Sequence, residues 1–188
     1  MRSFDPRAVG ELECRAWETY YRHKWGAFLL ASVGLVRAAF KMSWRRTLPG
    51  AWLVLRANQK WAPYPVNDPA AARALMTRFY RLLRESEGAS FDPVRAAELE
   101  VEWWRAHREN QHGADAGEAL VVALCDVYAY TYGAEPAAVR PAAELRAEAM
   151  DVSDRWVAAG CDPEDPLLAE ERALLVRSYA ALLAAVHR

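Results

Sequence analysis

A segment of fourteen residues recurs in this chain, and the recurrence limits what it can fold into more than any other feature. Phe4-Asp5-Pro6, Glu11-Leu12-Glu13 and Trp17 return as Phe91-Asp92-Pro93, Glu98-Leu99-Glu100 and Trp104, at a constant offset of 87, without a gap and with seven of fourteen positions identical. Fainter echoes follow: Asn58-Gln59-Lys60-Trp61 against Ser153-Asp154-Arg155-Trp156, and Asp68-Pro69 ahead of Arg78 and Tyr80 against Asp165-Pro166 ahead of Arg177 and Tyr179. Self-similarity of this kind predicts an internal duplication, with one copy over about 1–87 and the other over about 88–188, packed about a pseudo-twofold axis in one compact domain.

Local signals make each copy helical. Asp5-Pro6, Asp68-Pro69, Asp92-Pro93 and Asp165-Pro166 each precede a long Ala-, Leu- and Arg-rich stretch. Asp accepts orphan N–H groups as an N-cap, and Pro at the first helical position has no N–H to lose. Helices are predicted over 6–24, 26–42, 50–62, 69–86, 93–111, 117–132, 139–159 and 166–187, and no alternating strand of useful length is present. The expected fold class is an all-α helical bundle.

Composition fits a globular chain: 188 residues, 53% hydrophobic, 26% charged. The eight Trp and eight Tyr exceed what a generic core needs, and amphipathic rings of this kind suit a lined cavity. Three cysteines, Cys14, Cys125 and Cys161, without C-x-x-C spacing, read as reduced thiols of a cytoplasmic protein. Met1-Arg2-Ser3-Phe4-Asp5-Pro6 carries no apolar leader, and the run from Ala27 to Val36 ends at Arg37, short of a bilayer span, so no membrane partner is expected. The net charge of -1 conceals an asymmetry: residues 1–90 hold 15 basic against 7 acidic groups, and residues 91–188 hold 9 against 18. Complementary fields of this kind favour docking of the halves or association into a homodimer. The basic residues around Trp44 are spread at helical spacing, which reads as a solvated face rather than a nucleic-acid site.

Candidate site residues come from acids on apolar faces. Projection of 93–109 at about 100° per residue places Glu100 and His107 inward beside Trp103 and Trp104; the first copy offers Glu13 and Tyr20 at the matching positions beside Trp17. Asp126 lies in a segment apolar nearly all round and is expected to be buried, with Asn58 and Ser153 also inward. Buried acids must find one another, a water, a metal or a ligand. The leading expectation is a small-molecule enzyme whose Glu100 and His107 form an acid–base centre, with Glu13, Asp126 and Tyr20 assisting and Trp17, Trp103, Trp104, Asn58 and Ser153 contacting the substrate. An alternative gives Glu13, Glu100, His107 and Asp126 to iron or manganese, although no Glu-x-x-His of the ferritin-like kind is present. A third reading is a non-catalytic helical module binding a ligand or another protein.

Overall fold

The computed structural model describes residues 3–113 and 117–187; Met1 and Arg2 of the N-terminal stretch lie outside it. The described residues form eight helices and no strand: α1 (Pro6–Tyr21), α2 (Trp25–Phe40), α3 (Trp44–Trp61), α4 (Pro69–Glu87), α5 (Pro93–Gln111), α6 (Gly117–Tyr132), α7 (Pro136–Ala158) and α8 (Leu167–Ala185). The Asp-Pro rule holds at three starts, where Asp5 accepts from the Arg7 N–H, Asp68 from Ala71 and Asp92 from Val94. At the fourth, Asp165 accepts from the Leu167 N–H, and the helix begins one residue after Pro166.

Two helices start earlier than the sequence suggests. α3 begins at Trp44, which brings Pro49 inside it, and α7 begins at Pro136, with Pro141 inside it as the expected 139–159 already had it. A proline there removes one ladder bond and normally breaks a helix. Both rings point to solvent, so the freed carbonyl can be hydrated, while the buried Thr47 and Val139 hold the first turns against the core.

Each helix packs on those before and after it in the chain, and α8 packs back onto α1. Short connections make neighbours antiparallel, and the closing α1–α8 contact turns the row into a ring. The closure is tight at Gly10, where a Cβ would stand 2.7 Å from the Val176 backbone nitrogen of α8. The core is continuous around the ring, from Phe4, Leu53 and Met76 through Leu83, Trp104, Leu124 and Met150 to Leu182.

The two recurring segments make like contacts at the two junctions between the halves of the chain. On α8, the Tyr179 ring meets Phe4 edge-on at 5.8 Å and its hydroxyl donates to Glu13; on α4, the Tyr80 ring meets Phe91 edge-on at 5.9 Å and its hydroxyl donates to Glu100 at 2.8 Å.

Candidate functional site

The ring encloses a cavity of about 200 Å³ lined by side chains from all eight helices. Its polar wall is Glu13 (α1), Glu100 (α5), Tyr80 (α4), Tyr128 (α6), Arg146 (α7) and Tyr179 (α8); Trp17, Trp103, Phe40, Phe79, Leu83 and Leu182 contribute the apolar remainder. A second cavity of about 70 Å³ adjoins it, at the end of the ring formed by the C-termini of α1, α3 and α5. Trp17, Phe28, Asn58, Trp103 and Trp104 line both, and Tyr20, His107 and Arg108 belong to the smaller one alone.

Arg146 is the centre of the larger site. Its guanidinium pairs with the Glu13 carboxylate, donates to the Tyr128 hydroxyl at 3.0 Å and lies 4.7 Å from the Trp103 ring centroid. Burial opposes its charge, but Glu13, Tyr128, Tyr179 and Glu100 more than offset this, and the guanidinium stays protonated. Tyr179 closes the Glu13 side by donating to its second oxygen.

Glu100 is placed differently. Among the described residues it has no ion pair, and its hydrogen-bond donor is the Tyr80 hydroxyl. Burial pushes its carboxyl above the usual range; Arg146, Tyr80 and Trp103 act in the opposite direction, with Glu13 adding to the rise. The Trp103 indole N–H favours the ionised form but makes no properly aligned hydrogen bond. Trp103 Nε1, Arg146 Nε and Ser32 Oγ, all on cavity-lining residues, have no hydrogen-bond partner among the described residues, although buried polar groups ordinarily find one.

The sequence-derived candidates therefore divide. Glu13, Glu100, Trp17, Trp103, Trp104 and Asn58 come together around the larger cavity, though the Asn58 amide already donates to the Val54 carbonyl at 3.0 Å. His107 does not meet Glu100: two turns along α5 it faces the smaller cavity, with Nε2 3.2 Å from Asp154 Oδ2, and Gln111 holds the other Asp154 oxygen at 2.7 Å. Tyr20 faces the same small cavity, 3.4 Å from Arg108. Ser153 is fully buried but lies between α7 and α8, outside both cavities. Asp126 is exposed, contrary to expectation, because Glu118, Val122 and Asp126 form the solvent stripe of α6 at four-residue spacing. Among the described residues no three His, Cys, Asp or Glu side chains gather as a metal site, and Glu13, Glu100, His107 and Asp126 do not converge.

The sequence reading places none of Arg146, Tyr80, Tyr128 and Tyr179 at the site, although Tyr80 and Tyr179 stand at matched positions of the repeat. The signal was present, since Val139, Ala142, Ala143, Ala147 and Met150 mark an inward stripe in which Arg146 sits at mid-height. Glu171 on α8 was missed in the same way. Its carboxyl is fully buried with neither oxygen hydrogen-bonded among the described residues, and burial raises it to about 8, with Cys14 and Ser153 acting against the rise. The Cys14 thiol, donating toward the Leu168 carbonyl and itself pushed up to about 12 by burial, is a core group and not a nucleophile.

Glu171 carries a pH prediction. The unfolded chain releases this proton near 4.5 and the folded one near 8, so the folded state binds the extra proton between those values and stability falls as pH rises through the window. The slope attributable to this group is at most about 1.4 kcal/mol per pH unit. Glu171→Gln is expected to flatten the loss of urea stability between pH 5 and pH 8, and an unchanged slope would place the carboxyl in water. Comparison of the chain with protein-family models, with curated proteins and with solved structures finds no match.

Proposed function

We propose that this protein is a small-molecule enzyme that takes an apolar or aromatic molecule into the central cavity and exchanges a proton with it through Glu100. The observation that carries this reading is the Glu100 carboxyl itself: it lines an aromatic cavity, lacks an ion pair among the described residues and is raised above the usual carboxylate range by burial. A carboxyl raised in this way holds its proton more readily than a free one and can pass it to a bound substrate and take it back. Tyr80 fixes its orientation, and the Arg146 guanidinium, already held by Glu13, offers a fixed positive field for charge developing on the substrate. The unpartnered Trp103 and Arg146 N–H groups are donors that a substrate oxygen can satisfy.

His107 has no part in this step. Its place with Tyr20 and Arg108 in the adjoining cavity suits contact with the part of a ligand that extends toward the end of the ring.

The internal duplication belongs to the same proposal. The matched Phe4–Tyr179–Glu13 and Phe91–Tyr80–Glu100 contacts support two copies related by a pseudo-twofold axis, each lending a tyrosine to the other's acid. Among the described residues only the second half supplies a buried arginine, so two equivalent acids have become one ion-paired and one proton-exchanging group.

The test is to incubate wild-type protein and Glu100→Gln with a cellular small-molecule extract and compare the mixtures by mass spectrometry. Wild type should deplete at least one apolar or aromatic compound, and the variant, folded to the same extent, should do so about 100-fold more slowly or less. Depletion at equal rates by both proteins removes Glu100 from the chemistry. No depletion by either leaves a binding cavity without turnover, and the third reading of the sequence takes its place.

A further inference from the structure

Residues 19–67, from the end of α1 through the α2–α3 hairpin, contain eight Lys and Arg and no Asp or Glu. Arg22 pairs with Glu18 just outside this stretch at 2.7 Å, and the other basic side chains have no acid within it. On α3 the outward face carries Trp44, Leu48 and Trp52, at successive intervals of four residues, each more than half exposed at 55%, 54% and 53%. Residues spaced by four share a face, so these three form one apolar stripe. Arg45 and Arg56, both exposed, border it on one side, and Arg37 of α2 stacks over the Trp44 ring at 4.3 Å. Lys41 is exposed at the hairpin tip, and Leu30, 76% exposed, adds an apolar side chain on the α2 arm.

Large apolar side chains aligned on one helix and rimmed by polar groups are unusual on a surface with nothing to bind. Tryptophan is the residue that settles at the headgroup level of a bilayer, and arginine and lysine beside it contact anionic headgroups. No helix among the described residues is long and apolar enough to cross a membrane, so a contact of this kind is peripheral. We infer that the outward face of the α2–α3 hairpin docks on an anionic lipid surface, with Trp44, Leu48 and Trp52 inserted among the headgroups and Arg37, Lys41, Arg45 and Arg56 pairing with their charges. The charge complementarity favours this occupant, since the face is basic throughout and the stripe is indole-rich. The sequence reads as a solvated face on a chain without a membrane span; a peripheral contact leaves the second part intact, and the exposure of both indoles is what argues beyond the first.

The experiment is sedimentation of the full chain with vesicles of phosphatidylcholine and with vesicles containing phosphatidylserine as well. Wild type should bind the anionic vesicles about tenfold more strongly than the neutral ones, and should release as salt screens the headgroups. Trp44→Ser combined with Trp52→Ser should lose about tenfold in vesicle affinity while remaining folded at the assay temperature, since both side chains are more than half exposed. Equal binding to the two vesicle types, an undiminished double variant or no vesicle binding overturns the inference. So does capture by duplex DNA in place of vesicles, or a dimer that the double variant dissolves, because the face then belongs to nucleic acid or to a second copy.

Discussion

Arg146→Ala is expected to be the most damaging single substitution in the protein, costing about 3–5 kcal/mol in urea denaturation because it leaves the Glu13 carboxylate buried without its cation. That is a large share of the roughly 5–15 kcal/mol by which a domain is ordinarily stable. The loss reflects the charge left behind and not the worth of the pair. The combined Glu13→Gln and Arg146→Met variant, which removes both charges at similar volume, should therefore recover most of the stability. If the single variant loses under about 1 kcal/mol, the guanidinium is hydrated and does not hold the centre of the ring. The pair also joins the halves against their overall charge, with the acid from the basic half and the base from the acidic one.

Gly10→Ala should destabilise by about 1–3 kcal/mol or more, and the sign is the informative part. In an exposed helix interior the same change stabilises by up to about 1 kcal/mol. At Gly10 the new methyl group would stand 2.7 Å and 2.9 Å from backbone atoms of Val176, which cannot move without shifting α8. Gly26→Ala on α2 is the control, since nothing lies within 4 Å of its added Cβ. Stabilisation at Gly10 equal to that at Gly26 would mean that α1 and α8 do not close the ring as described.

Helix number and most helix limits were legible in the sequence because Asp-Pro entries and glycine exits are local signals. The start of α3 was not, since tertiary packing carried that helix through Pro49, and α7 begins three residues earlier than expected, on Pro136. Glu13 and Glu100 were legible from amphipathic periodicity on helices with a clear solvent face. Asp126 was misjudged because α6 is apolar on nearly every side, and periodicity gives no direction when one face of valine and acid is all that marks the outside. The pairing of His107 with Asp154 in place of Glu100 was hidden for a different reason: residues two turns apart share a face but are separated along the ring axis, and only the neighbouring helices decide which cavity each one meets.

The central claim is that the cavity inside the ring is a ligand site, and Ser32 offers the most direct test. Its hydroxyl lines the cavity, is buried and has no hydrogen-bond partner among the described residues, so Ser32→Leu fills space while removing an unsatisfied group. The measurement is the shift in melting temperature produced by a panel of small aromatic and apolar molecules on wild type and on Ser32→Leu. At least one compound should raise the wild-type melting temperature in proportion to its concentration, and the variant, itself no less stable, should not respond. A compound that stabilises both proteins equally binds elsewhere, and a panel that stabilises neither contradicts the claim.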